Sequence, residues 1–125
     1  MKDFKEKILA LGIENLSETF FDEVENYIET LNRWNRVHNL TRMNKNEIYH
    51  SIFDSVFPLT NIKFQNFLDI GTGAGFPAIP IVLALKSQIQ NGFLVEPRIK
   101  RSSFLHVLKN ELKLPVTIFN KRVEE

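Results

Sequence analysis

The stretch that most constrains this chain is Phe67-Leu68-Asp69-Ile70, followed at once by Gly71-Thr72-Gly73-Ala74-Gly75, Phe76 and Pro77. A short apolar run broken by alternating glycines predicts a strand that ends in a tight turn, where bare backbone lets a ligand approach closely. Residues 79–85 are almost wholly apolar and run to Lys86, which predicts a short buried helix with Pro77 in its first turn. The turn would then present backbone amides at a helix N-terminus. Gly92-Phe93-Leu94-Val95-Glu96 predicts a second strand, and Val116-Thr117-Ile118-Phe119 a third. Phe104, Leu105, Leu108 and Leu112 outline the helix between them. Strands alternating with helices predict an α/β fold with a parallel, doubly wound sheet.

The first 62 residues follow a different period. Phe4, Ile8 and Leu11 share one helical face, and Gly12 stops that run. Ser17 is the expected cap of a longer helix, whose inner face carries Phe20, Phe21, Val24, Tyr27, Ile28, Leu31 and Trp34. Asn39-Leu40-Thr41 breaks it, and Asn44 with Glu47 has the spacing of a capping box. That box opens a third helix with Ile48, Ile52, Val56 and Leu59 inward, ending near Pro58 and Asn61. The expected organisation is an N-terminal helical extension over 1–62 and a sheet-bearing segment over 63–125.

Composition removes several alternatives. The 125 residues contain no cysteine, which excludes a disulfide scaffold, thiolate metal sites and a thiolate nucleophile. The apolar runs fall short of the roughly 20 residues of a membrane span, and the opening MKDFKEK does not read as a signal peptide. A cytoplasmic protein without membrane contact is expected. The 16 basic and 15 acidic residues are unevenly placed. Residues 1–32 hold Lys2, Lys5 and Lys7 against Asp3, Glu6, Glu14, Glu18, Asp22, Glu23, Glu25 and Glu29, so the rest of the chain is basic. Arg33, Arg36 and Arg42 with His38 form one basic cluster, and Arg98, Lys100 and Arg101 a second. Such clusters neutralise phosphates or simply solvate a surface, and charge alone leaves both open.

The turn also has a partner in register. Glu96 closes the second strand 25 positions beyond Gly71, the placement of a carboxylate that accepts two ribose hydroxyls. A nucleoside-containing cofactor is therefore expected. A dinucleotide site wants glycine at relative positions one, three and six, and the sixth position here is Phe76. Asp69 at the strand tip would repel a pyrophosphate, whereas it suits a ligand that carries a cation. S-adenosylmethionine brings an ammonium and a sulfonium and no phosphate, so charge favours it over a nicotinamide dinucleotide. A nicotinamide-dependent oxidoreductase is the rival on this point.

Across almost its whole length the sequence resembles the bacterial family of small-subunit ribosomal RNA guanine-N7 methyltransferases, RsmG or GidB. The matching segments are Trp34-Asn35 with Asn39-Leu40-Thr41, Asp54-Ser55, the run from Asp69 through Gly71, Gly73, Gly75 and Phe76 to Pro77 with Ile79-Pro80, Lys100-Arg101 with Phe104-Leu105, and Arg122-Val123-Glu124-Glu125. The resemblance implies a Rossmann-like S-adenosylmethionine-dependent methyltransferase fold and methylation of guanine N7 in 16S rRNA of the small ribosomal subunit. It implies that Gly71 and Phe76 line the cofactor pocket and that Val123 and Glu124 lie at its adenine end. In this reading Asp69 holds the methionine ammonium, Gly71, Gly73 and Gly75 admit the methionine portion, and Glu96 takes the ribose. Arg36, Lys100, Arg101 and Arg122 are the candidates for rRNA phosphate contact. Guanine N7 is an available lone pair, so the chemistry asks for no general base, and neither a catalytic residue nor a metal ligand is assigned.

The sequence departs from the family's pattern in three places. Ala78 stands where the family usually has glycine. His50 and Ser51 replace a basic residue and histidine ahead of Asp54-Ser55, and His50 and Asp54, four apart, are expected to form a structural ion pair. The family also continues past Glu125 with a fourth strand and more, so the fold reads as C-terminally truncated, with its first strand an open edge. A fragment that is dimeric or marginally stable, or that binds RNA or a partner without turnover, is the alternative expectation. The sequence does not specify an oligomeric state.

Overall fold

A computed structural model of the chain describes residues 1–61, 66–70 and 73–121. Helices come first: α1 (Lys2–Ala10), α2 (Phe20–His38) and α3 (Lys45–Val56), which runs into a 3-10 turn over Phe57–Asn61. Then β1 (Asn66–Ile70), α4 (Ala78–Ala84), β2 (Asn91–Val95), α5 (Ile99–Leu112) and β3 (Val116–Phe119) alternate. The three strands form one sheet in the order β1-β2-β3, and both pairs are parallel. Ile70 lies opposite Val95, and Val95 opposite Phe119, so the carboxyl ends of the strands are level. Within the described residues β1 pairs with β2 alone, at the sheet edge where the sequence placed it.

Burial alternates along β3 and through Leu94 of β2, as a period of two requires. Leu94, Val116 and Ile118 join one hydrophobic cluster with Val82 and Leu83 of α4 and Phe104, Leu105 and Leu108 of α5. Phe93 and Phe119 are less covered, and their rings stack at 6.3 Å. The helices of 1–62 belong to the same cluster through Ile8, Phe20, Val24, Leu31, Ile48 and Ile52. Helix α2 packs on both α4 and α5, and α3 on α4. A partly buried ion pair ties these helices together. Lys86 Nζ donates to Glu23 Oε2 at 2.8 Å and to the Leu112 carbonyl at 2.6 Å, joining α2 to the far ends of α4 and α5. Removing Lys86 would leave Glu23, which is 8% exposed, without its countercharge.

Local signals fix most boundaries. Asn39 ends α2 in the left-handed region (φ 49°), a conformation asparagine tolerates well. The capping box forms, with the Glu47 amide donating to Asn44 Oδ1 at 2.9 Å and the Asn44 amide to Glu47 Oε1 at 3.0 Å. Ser17 is not the cap of α2. The helix starts at Phe20 with Thr19 as its N-cap residue, and the Thr19 hydroxyl is spent on the Glu23 carboxylate. The Ser17 amide instead donates to the Ala84 carbonyl at 2.9 Å, a tertiary bond that draws this loop toward the end of α4. Pro77 is likewise the N-cap residue of α4 and not part of its first turn.

These two sites should respond differently to alanine. In denaturant unfolding, Asn44→Ala is expected to lose about 1 kcal/mol, as removal of an N-cap side chain does. Ser17→Ala should lose only a few tenths, because its side chain caps no helix amide.

Candidate cofactor site

The glycine turn and the end of β2 meet at the level carboxyl edge of the sheet. The Gly73 amide donates to Glu96 Oε1 at 2.7 Å, and the Arg98 amide to Oε2 at 2.8 Å. Glu96 is only 2% exposed, so two charge-assisted bonds compensate a buried carboxylate. Its backbone is fixed as well. The Glu96 amide donates to the Phe119 carbonyl at 2.9 Å, and Asn120 Nδ2 donates to the carbonyls of Glu96 and Pro97 at 2.9 and 3.1 Å. A carboxylate offers about four lone-pair sites, so among the described residues each oxygen retains capacity for one further donor.

The turn rests on the helical segment. The Tyr27 hydroxyl, on α2, donates to the Ala74 carbonyl at 2.6 Å, and the Tyr27 ring lies 5.7 Å from Phe76 and 6.4 Å from Phe104. Full burial holds the Tyr27 phenol well above its ordinary pKa of 10.0, so it remains a donor. Gly75 adopts φ +108°, and a Cβ there would lie 2.7 Å from Ile79 Cγ1 and 2.8 Å from the Tyr27 hydroxyl oxygen. Both distances are too short for any side chain. Gly73 also has positive φ, 63°. Sequence periodicity placed Tyr27 on the buried stripe of its helix but gave no sign of what its hydroxyl would hold. Asn120 was missed altogether.

The expected amide cradle is smaller than the sequence suggested. Helix α4 has only seven residues, and Pro77 and Pro80 contribute no N–H. The Ile79 amide is taken by the Gly75 carbonyl at 2.7 Å, and the Gly73 amide by Glu96. Asp69 is half-buried on β1, opposite Leu94 in the parallel register, one residue before the strand ends. Phe76 is half-buried against Tyr27. Gly71, Arg122, Val123 and Glu124 lie outside the described residues.

Of the first basic cluster only His38 meets the second. Arg98, Lys100 and Arg101 face His38 across a groove of about 520 Å³ between the end of α2 and the start of α5. Arg36 is exposed on α2 but does not line that groove. His50 Nε2 approaches Asp54 Oδ2 at 3.3 Å, with both side chains mostly in solvent, so the expected pair forms as a surface contact. No helix of the described residues is long and apolar enough to cross a membrane.

Fold and site together define a parallel α/β chain with a carboxylate-flanked glycine turn at the carboxyl edge of its sheet. Comparison with known proteins gives that class a family. The family model GidB, rRNA small subunit methyltransferase G, matches residues 21–125. Proteins named ribosomal RNA small subunit methyltransferase G are similar to this chain in Aliarcobacter butzleri, at 40% identity over 123 residues, and in Helicobacter pylori (strain ATCC 700392 / 26695), at 45% over 105 residues. These alignments cover 96% and 82% of this chain, but 62% and 58% of the relatives. A relative from Campylobacter jejuni (serotype O:23/36) is 42% identical over 112 residues, covering 86% of this chain and 57% of its own length. The chain belongs to the GidB family. It spans about three-fifths of the length of these curated relatives.

Tyr27→Phe should lose about 1–2 kcal/mol in denaturant unfolding, because the buried Ala74 carbonyl is left without its donor. Gly75→Ala should lose more, combining overpacking with positive-φ strain. The alkaline limb gives an independent reading. The folded chain keeps the Tyr27 proton that the unfolded chain releases near pH 10, so stability should fall as pH rises above about 10. Tyr27→Phe should flatten that fall, leaving the share of Tyr49, whose pKa is raised by partial burial and then by Glu25.

Proposed function

We propose that this chain carries the cofactor-binding half of a Rossmann-like, S-adenosylmethionine-dependent enzyme that methylates guanine N7 in 16S rRNA of the small ribosomal subunit, in the cytoplasm. Residues 1–62 form its helical extension and 63–125 the first half of its methyltransferase domain. The observation that carries this reading is the turn itself, within a chain of the GidB family. Its Gly73 and Ile79 amides are engaged internally, prolines replace donors at the following helix, and carboxylates lie in both β1 and the residue after β2. That donor set suits a cationic nucleoside and repels a pyrophosphate. A nicotinamide dinucleotide, the rival on sequence grounds, would meet two amides already engaged, by Glu96 and by the Gly75 carbonyl.

S-adenosylmethionine, when bound, supplies an electrophilic methyl group on a sulfonium. In the proposed site Asp69 accepts the methionine ammonium, and the unused lone pairs of Glu96 accept ribose hydroxyls. Gly71, Gly73 and Gly75 leave room for the methionine portion. Phe76 forms an apolar wall, and Val123 and Glu124 flank the adenine. Guanine N7 has a lone pair at neutral pH, so no side chain has to remove a proton. The task left to the protein is to align N7 with the methyl group and exclude water, which is where proximity and orientation contribute most. Arg36, Lys100, Arg101 and Arg122 are the proposed phosphate contacts.

The test is methyl transfer from radiolabelled S-adenosylmethionine to small-subunit RNA from cells lacking the modification, followed by chemical cleavage at N7-methylguanine. Label at a single guanine N7 is expected. Binding of cofactor and RNA with no transfer would support the binding-only alternative. Asp69→Ala should weaken S-adenosylmethionine binding by about tenfold or more, the range of a lost charge-assisted hydrogen bond, whereas Glu18→Ala should leave it within about twofold. Equal effects would remove the ammonium assignment.

A further inference from the structure

The groove between the end of α2 and the start of α5 holds two of the proposed phosphate contacts, Lys100 and Arg101, together with apolar features that the methyl-transfer reading does not use. Its rim carries Arg98, Lys100 and Arg101, and among the described residues no acidic side chain lines it. Leu40, Pro97 and Ile99 supply apolar surface within it. Leu40 is 3% exposed beneath it, while Ile99 stands out at 72% exposure among the cations. Most of this aliphatic side chain is therefore open to a ligand placed among the cations. His38 closes the other side, with its ring 5.2 Å from Trp34, which in turn lies 5.9 Å from Phe104. The groove is also tied to the cofactor edge, because the Arg98 amide is one of the two donors to Glu96.

A volume of about 520 Å³ is ample for one nucleotide and falls within the usual range of small-ligand pockets. Cations around an apolar, ring-bearing cleft are what an unstacked base and its phosphate require. A duplex presents phosphates to such a rim but has no free base face to place on Leu40 and Ile99. We propose that this groove binds one unpaired RNA nucleotide next to the methylated guanine. Its phosphate lies on Lys100 and Arg101, and its base packs against Ile99, Leu40 and the His38 ring. The inference rests on the RNA-methylation reading and adds to it a preference for single-stranded RNA. Charge complementarity selects the phosphate, and the exposed Ile99 beside a buried Leu40 selects the base.

The experiment measures, by fluorescence anisotropy over a range of salt, the affinity of the whole chain for a short labelled single-stranded RNA and for the same RNA annealed to its complement. The single strand should bind about tenfold or more tightly than the duplex. Lys100→Ala with Arg101→Ala should cut single-strand affinity by about tenfold and lower the salt slope by roughly 0.7, the share of the one phosphate no longer neutralised. Ile99→Ala removes no charge and lies at the surface. It should weaken the single strand about three- to tenfold while leaving the salt slope and the duplex affinity unchanged. Equal affinity for single strand and duplex, or an Ile99→Ala variant that binds RNA like the parent, would overturn the base-binding groove. S-adenosylmethionine titrations of the same proteins separate the two proposals. RNA binding that follows these expectations without cofactor binding would sink the methyl-transfer reading and leave the groove. Cofactor binding with an Ile99→Ala variant that binds single strand like the parent would leave the methyl-transfer reading and overturn the groove.

Discussion

The site depends on one hydrogen bond, from the Tyr27 hydroxyl to the Ala74 carbonyl. It joins residues 47 positions apart and props the glycine turn from below. The turn cannot take its observed shape without a bare Cα at Gly75, since the Tyr27 oxygen and Ile79 occupy the space a side chain would need. A single neutral hydrogen bond contributes only about 1 kcal/mol net, but a buried carbonyl without its donor costs more than that. The buried Tyr27 ring, packed with Phe76 and Phe104, places the hydroxyl without further ordering cost. The helices before the sheet thus act as a support for the cofactor edge, and α2 transmits that support through its packing on α4 and α5.

From above, Glu96 completes the clamp. A carboxylate that is 2% exposed and accepts backbone amides from both the turn and the residue opening α5 fixes two loops relative to each other. The same bonds shape the chemistry the site offers. Amides given to a carboxylate are not given to a phosphate. In the proposed reading, the carboxylates of Glu96 and Asp69 select a cationic ligand with hydroxyl donors. The glycine pattern alone carries no such discrimination, because many nucleotide sites share a strand, a turn and a helix.

Much of this was legible because it is local. The change from a helical period to short apolar runs marks the sheet, and β3 falls on Val116–Phe119 as its residues predict. Asn44 and Glu47 form their box because a cap needs only four consecutive residues. Ser17 misled for the opposite reason. It has the chemistry of a cap, but its backbone is claimed by Ala84 across the fold, and no local pattern shows that competition. Tyr27 was read correctly as a core residue, yet its hydroxyl acts on a carbonyl beyond the reach of any helical spacing. The fold brings His38 alone of the first basic cluster to the groove of Arg98, Lys100 and Arg101, while Arg33, Arg36 and Arg42 stay outside its lining. The broken glycine spacing at Phe76 was legible. The scarcity of amides at α4 could have been read from Pro77 and Pro80, which supply no donors.

The central claim is that this edge of the sheet holds a cationic nucleoside and not a pyrophosphate. Calorimetric titration of the 125-residue chain with S-adenosylmethionine and, separately, with NAD tests it most directly. Saturable binding of S-adenosylmethionine with no heat from NAD is the predicted result. Binding of NAD in preference, or no binding of S-adenosylmethionine by a chain shown to be folded, would contradict that claim.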